Sequence, residues 1–231
     1  MRLAVLDFGA WHPEIAGPWE RFGVMLTRWV KLSLPEADLT LINIAGGEAF
    51  PDPDAFDGYV LSGSEKGVYD TPSWMPDLRQ FLPAAKDLDR PLFGVCFGHQ
   101  IMADVFGGKA EKVGRPQVGL RHFDIGTTRI GAHVWHRDQV TVCPEGAEVT
   151  ATADYCPIAG LAYPFKARSI QFHPEYPAEF VLHFLNLKME ELLDLDLTEK
   201  AITELEASPV PDDLYSTELA DFFHQSLADK A

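Results

Sequence analysis

The segment Gly94-Val95-Cys96-Phe97-Gly98-His99-Gln100 carries the strongest chemical signal in the chain. An apolar run, Pro91–Val95, precedes the cysteine and a helical pattern follows it. A cysteine at that junction occupies the sharp strand-to-helix turn of a nucleophile elbow, and glycine on both sides keeps such a turn from colliding with its neighbours. Cys96 then lies at a helix start, where unpaired N–H groups and the helix dipole favour thiolate over thiol. A lone cysteine after an apolar strand is otherwise a buried hydrophobe. Cys143 and Cys156 lack the glycine frame and are assigned that ordinary role.

A thiolate nucleophile needs a base, and the base needs a group that orients it. His173-Pro174-Glu175 directly follows the strand-like run Ala167–Phe172. In extended backbone, residues i and i+2 point to one side. Glu175 can then accept a hydrogen bond from the His173 ring and fix its tautomer. A third element is Leu61-Ser62-Gly63-Ser64, at the end of another strand. Loops at the carboxyl ends of strands line the crevice of an open α/β sheet. A backbone N–H in the Ser64 region and the amide of Phe97 would be the two donors to a developing oxyanion. His12, His122, His133, His183 and His224 form no pair with metal-like spacing, and His133 and His136, three apart in a predicted strand, face opposite ways. His99 packs in the first helical turn and is not a second base. No metal and no cofactor are expected.

The elements that must position these residues are legible as alternating strands and helices. Arg2–Asp7, Asp38–Asn43, Gly58–Leu61 and Pro91–Val95 read as strands, and 18–34, 74–88 and 97–106 as helices. Continuous apolar strands alternating with helices indicate a parallel sheet covered on both faces. From Lys109 to Phe172 the runs become short and β-rich: LRHFDI, AHVWH, QVTV, EVTATA, IAGLAY and ARSIQF. These predict further strands, partly antiparallel, completing or flanking the sheet. After Tyr176 the pattern is helical, over 179–195, 197–207 and 216–227. The break Ser208-Pro209-Val210-Pro211 sets the last helix apart as a mobile tail, whose apolar residues either dock on the domain or belong to a partner interface.

Composition narrows the function classes. The 231 residues include 19 Lys and Arg against 35 Asp and Glu, a net charge of −16. Such a surface repels phosphate backbones, so no nucleic-acid partner is expected. No apolar run reaches the roughly 18 residues that span a bilayer, so no membrane association is expected. The N-terminus turns acidic after a short apolar stretch and is not read as a signal peptide. Three cysteines, an odd count without a disulfide framework, point to the cytoplasm. Residues 176–231 hold 13 acidic and 3 basic side chains, −10 of the total. That excess is either a solvated outer helix face or a docking surface for a basic partner.

Together, FGVCFGHQ at 93–100, LSGS at 61–64, WHRDQV at 135–140 and QFHPE at 171–175 resemble the class I, triad-type glutamine amidotransferases. The likeness is nearest to the amidotransferase domain of GMP synthetase and its free-standing relatives, and it covers Met1 to about Leu187. It implies a flavodoxin-like three-layer α/β sandwich with a mostly parallel central sheet. Residues 1–187 would form the amidotransferase domain and 188–231 an acidic helical C-terminal extension. It implies Cys96 as nucleophile, His173 as general base and acid, and Glu175 as orienter. It also implies that Gln100 and groups around Ser64, Trp135, Arg137 and Asp138 hold the glutamine. The chain departs from the family pattern at Ser62-Gly63-Ser64-Glu65, where the family has Ser-Gly-Gly-Pro or Ser-Asn-Gly-Pro. It departs again at His136-Arg137-Asp138, where the family has His-Gly-Asp. Ser64 reaches an unusual backbone conformation less cheaply than glycine, and Arg137 either crowds the pocket or recognises a carboxylate.

Three functions follow from this reading. One is a free-standing glutamine amidotransferase that releases ammonia from glutamine, with a separate synthetase or acceptor subunit as possible partner. The second is a hydrolase of γ-glutamyl peptides or conjugates using the same three residues. The third is a non-catalytic binding module that kept the fold. No P-loop of the form GxxxxGK[ST] occurs in the chain.

Overall fold

Alternating burial along the first strand sets the layers. In β1 (Arg2–Asp7), Leu3 and Val5 belong to one hydrophobic cluster and Ala4 and Leu6 to another, and all four are fully buried. That is the pattern of a strand covered on both faces. The structure, a computed structural model, describes residues 1–10, 19–192, 202–203 and 209–228.

The other described strands are β2 (Asp38–Asn43), β3 (Gly58–Leu61), β4 (Leu92–Val95), β5 (Lys109–Ile125), β6 (Thr128–Val142), β7 (Glu148–Ala153), β8 (Cys156–Ala162) and β9 (Ala167–Ile170). The described helices are α1 (Phe22–Ser33), α2 (Met75–Asp87), α3 (Phe97–Val105), α4 (Ala178–Leu192) and α5 (Ser216–Ala228). The nine strands form one sheet in the order β2-β1-β3-β4-β9-β8-β7-β5-β6. Five of them, β2 to β9 in that order, are parallel, and the remainder pair antiparallel.

One face is covered by α1 through Leu26, Trp29 and Val30, and by α5 through Leu219, Phe222 and Phe223. The other is covered by α2 through Leu78, Phe81 and Leu82, and by α3 through Phe97, Ile101 and Met102. This is the flavodoxin-like three-layer α/β sandwich with a mostly parallel centre. Among the described residues, no helix is long and apolar enough to cross a membrane.

Two regions differ from the sequence reading. The separate runs LRHFDI, AHVWH and QVTV belong to one long antiparallel hairpin, β5–β6, closed between Ile125 and Thr128. Gly126, at φ 58°, takes the left-handed conformation that so short a hairpin turn demands. The register shifts between Lys112 and Gln117, where Gly114 and Pro116 interrupt the ladder. The second difference is the tail. Beyond Pro209–Pro211 the chain returns to the sheet: Leu219 and Phe223 are fully buried, and Trp29 Nε1 donates to Leu214 O at 3.0 Å. Phe222 and Tyr215 lie 6.0 and 6.5 Å from the Phe93 ring. The last helix is thus core structure, because its apolar stripe completes the face that α1 leaves uncovered. The helix expected over 197–207 lies outside the described residues except at 202 and 203, which are helical.

Candidate active site

The site forms at the carboxyl ends of β3, β4 and β9, with β6 crossing beside them. Cys96 follows β4 and precedes α3 at φ 53° and ψ −103°, one of three non-glycine residues with positive φ among those described. Its N–H donates to Ile170 O at 2.9 Å and its carbonyl accepts from Gln100 N–H at 3.0 Å, so both neighbouring elements fix the strained turn. The flanking glycines are required by contact rather than by dihedral freedom. A Cβ on Gly94 would lie 2.6 Å from Gly98 O, and one on Gly98 would lie 2.7 Å from Leu61 O. Phe97 opens α3, so its N–H has no intrahelical acceptor.

His173 reaches the same point from β9. Its Nδ1 is 2.7 Å from Glu175 Oε1, with both side chains buried. Its Nε2 has no hydrogen-bond partner among the described residues and lies on the side of the ring near Cys96, whose thiol donates to Trp135 O at 3.9 Å. Gly63 confirms the juxtaposition: a methyl group there would touch His173 Cε1 at 3.0 Å and Cys96 Cβ at 3.6 Å. Burial alone would disfavour the imidazolium, but the Glu175 carboxylate and then the Cys96 thiolate outweigh it and raise the His173 pKa to about 10. The structure therefore brings Cys96, His173 and Glu175 together, with the His173 ring lying between the cysteine and the carboxylate.

A residue that the sequence reading set aside holds this arrangement. His133 O accepts from His173 N–H at 2.8 Å, and His133 Nδ1 is 2.7 Å from Tyr176 O. One β6 residue thus clasps both ends of the His173–Tyr176 turn. The Tyr176 ring stacks on His173 at 3.9 Å and 5°. Tyr176, adjacent to the His-Pro-Glu run, carries no signal in the sequence beyond that adjacency.

Ser64 does not have a positive φ. Its hydroxyl donates to Phe8 O at 2.8 Å and accepts from Lys66 N–H at 3.1 Å, which ties the turn after β3 to the end of β1. Gln100 Nε2 donates to Asp138 O at 2.8 Å and to Gln171 Oε1 at 3.1 Å. With its amide nitrogen so occupied, Gln100 has its Oε1 left to accept. Arg137 is exposed, and Asp138 is half-buried beside Tyr69. Tyr69 is raised above the ordinary phenol pKa by burial and by the hydrogen bond to the Asp138 carboxylate. The buried His99 and His136 are neutral, lowered to about 4 and about 3 by burial. His99 Nδ1 lies 2.8 Å from Ser169 Oγ, and His136 Nε2 lies 3.2 Å from Tyr155 Oη. Among the described residues, no group of three His, Cys, Asp or Glu side chains could hold a metal ion.

Two cavities meet at Cys96. One is a polar cleft of about 290 Å³ that includes Gln100, Lys112, Arg137 and Asp138. The other is an apolar pocket of about 100 Å³, walled by aromatic side chains of α1, the His173–Tyr176 turn and α4. Ser64, Glu65, Cys96 and Trp135 border both. Helix α4 thus forms one wall of the site.

A parallel sheet covered on both faces, with a cysteine on a strained elbow after an inner strand, defines a flavodoxin-like α/β protein with a cysteine-centred candidate site. The chain belongs to the class-I glutamine amidotransferase family: the family model described as "Glutamine amidotransferase class-I" matches residues 47–179. The chain is similar to gamma-glutamyl peptidase 5 of Arabidopsis thaliana, with 29% identity over 72% of this chain and 73% of that protein. It is also similar to a GMP synthase [glutamine-hydrolyzing] of Lactobacillus delbrueckii subsp. bulgaricus, with 35% identity over 75% of this chain. It spans about a third of that synthase's length, 32%. In fold it is similar to a glutamine amidotransferase from Thermotoga maritima, with a TM-score of 0.73 and 19% identity over 98% of this chain and 97% of that one.

Proposed function

We propose that this protein hydrolyses a γ-glutamyl side-chain amide, of which glutamine is the simplest, through a thioester on Cys96. The observation that carries the reading is the Cys96 elbow at φ 53° facing a His173 ring whose other nitrogen is held by Glu175 at 2.7 Å. The Cys96 thiolate attacks the amide carbonyl. The N–H groups of Phe97 and the Ser64 region receive the oxyanion. His173 gives its Nε2 proton to the departing nitrogen, then accepts one from water as the thioester is hydrolysed to glutamate. Glu175 keeps the ring oriented throughout.

The polar cleft suits the amino-acid end of the substrate. Lys112 and Arg137 supply cations for an α-carboxylate, and Asp138 with Gln100 Oε1 supplies acceptors for an α-ammonium. Trp135 closes the cleft beside Cys96. Residues 1–187 carry the proposed catalytic groups, and the proposed acidic extension 188–231 supplies α5, which the same sheet needs as cover. With glutamine as substrate, a separate synthetase subunit is the proposed ammonia acceptor, by likeness to the GMP synthases. With a substituted amide no such partner is required, and the likeness to a gamma-glutamyl peptidase over 73% of that protein favours this second reading.

The test is glutamate release by purified protein from glutamine and a panel of γ-glutamyl amides. Cys96→Ala and His173→Ala are expected to abolish release, and Glu175→Gln to reduce it without abolishing it. Undiminished release by folded Cys96→Ala would overturn the proposal.

A further inference from the structure

The apolar pocket lies on the side of Cys96 from which the nitrogen must depart. His173, the proton donor to the leaving nitrogen, lines this pocket and is absent from the lining of the polar cleft. Cys96 lines both. An amino-acid end seated in the polar cleft therefore directs its amide nitrogen past His173 and toward Phe22, Tyr176, Phe180, Val181 and Phe184.

We infer, building on the reading above, that the scissile amide is N-substituted and that this pocket takes an apolar, uncharged alkyl group on the leaving amine. Ammonia alone would leave the pocket unfilled, since about 100 Å³ is several times the roughly 30 Å³ share of a water-sized molecule. It is also smaller than the roughly 150 Å³ that holds a benzene ring, which matches a branched four-carbon chain. The walls are preformed. Trp135 meets Phe184 edge-on at 3.8 Å, Tyr176 meets Phe180 at 4.9 Å, and Phe22 lies 6.0 Å from both Tyr176 and Phe180.

Charge narrows the class further. Besides Cys96 and His173, the one charged side chain lining the pocket among the described residues is Glu65. Its Oε2 accepts from Ala10 N–H at 3.0 Å, which holds the carboxylate at this border. A leaving group that is itself an amino acid would bring its carboxylate against Glu65, and the charged groups nearby are already engaged: Lys66 pairs with Glu65 at 3.8 Å and the His173 ring is held by Glu175 at 2.7 Å. The favoured substrate is thus a γ-glutamyl alkylamide rather than a γ-glutamyl peptide.

The chemistry balances without further reactants. The C–N bond breaks as the C–S bond forms, the amine leaves with the proton from His173, and water then replaces sulfur. The products are glutamate and a free alkylamine, and the Cys96 thiolate and protonated His173 are restored.

The test compares kcat/KM for glutamine, γ-glutamylisobutylamide and γ-glutamylleucine, with glutamate as readout. The isobutylamide is expected to exceed glutamine by about tenfold or more, as a filled apolar pocket gives, and to exceed γ-glutamylleucine by a similar factor. Val181→Met, which fills the pocket, should lower the isobutylamide-to-glutamine ratio about fivefold or more. Phe184→Ala, which widens it, should move the preference from the isobutylamide toward the benzylamide. Either variant suffices if the other fails to fold. Glutamine equal to or above the isobutylamide would overturn the inference and leave γ-glutamyl hydrolysis standing. Preference for γ-glutamylleucine would overturn the charge argument. If no amide is cleaved, a glutamine-shaped chloroketone separates the cases. Alkylation of Cys96 would then overturn the leaving-group inference alone, and no alkylation would overturn the hydrolytic reading with it.

Discussion

Gly63→Ala probes how closely the turn after β3 is fitted to the side chains behind it. The added methyl would lie 3.0 Å from His173 Cε1, 3.6 Å from Cys96 Cβ and 3.9 Å from His173 Nε2. Carbon atoms rest at roughly 3.5–4.0 Å, so the imidazole must retreat by about 0.5 Å. Its surroundings resist that: Tyr176 stacks on the ring at 3.9 Å, and Glu175 holds Nδ1 at 2.7 Å. A 1 Å misplacement at a reacting centre costs roughly 100-fold, so half of that costs about tenfold, or ~1.4 kcal/mol of barrier. The expected result is a 10- to 100-fold fall in kcat (about that range from the same scaling) with a thermal midpoint close to wild type. The assay is glutamate release at saturating amide beside thermal unfolding followed by fluorescence. Wild-type turnover at an unchanged midpoint would refute the claim that Gly63 is bare to make room for the Cys96–His173 pair.

The cysteines should differ in reactivity. Burial raises the Cys143 thiol and pushes Cys156 up to about 12, so limiting iodoacetamide should label Cys96 first, and mass mapping that found Cys156 first would contradict the site. Phe223→Ala should cost about 3–5 kcal/mol, as for other buried phenylalanines, lowering the midpoint by roughly 6–20 °C at this chain length. Truncation after Ser208 should be more damaging still, and a shortened chain with an unchanged midpoint would show that α5 is not core. The neutral buried His99 and His136 set an acid limit. Their folded pKa values, about 4 and about 3, lie below the unfolded 6.5. Their contribution is therefore complete above pH 6.5 and lost as pH falls toward 4 and 3, at up to about 1.4 kcal/mol per pH unit for each. Urea midpoints at pH 7 and pH 5 measure it, and His99→Gln should flatten the dependence by one group's share; an unaltered slope would contradict the assignment.

The layers of the fold were legible because strand alternation and helical spacing in the first hundred residues obey simple periods. RLAVLD and GYVL are apolar on both faces of a covered sheet, DLTLIN alternates polar and apolar as an edge strand, and each is a strand with those bounds. The β5–β6 hairpin was legible only as fragments, since Gly114, Pro116 and Gly119 break the local pattern while cross-strand pairing carries it through. The C-terminal helix misled for a different reason. Its acidic surroundings and the Pro209–Pro211 break describe the outer surface, whereas Leu219, Phe222 and Phe223 decide where it docks. At the site, the elbow glycines and the i, i+2 spacing of His173 and Glu175 are local and could be read directly. The His133 clasp and the aromatic pocket could not, because they join β6, α1 and α4 across long stretches of sequence. No local spacing encodes a contact between residues forty positions apart.

The most direct test of the central claim is to catch the acyl-enzyme. Glu175→Gln should slow deacylation by loosening His173, and acid quenching during turnover of a γ-glutamyl amide should preserve a thioester. Peptide mass mapping is expected to find a γ-glutamyl adduct on Cys96 alone, absent from Cys96→Ser and discharged by hydroxylamine. Steady glutamate release with the adduct on another residue, or with no adduct under any quench while Cys96→Ala turns over normally, would contradict it.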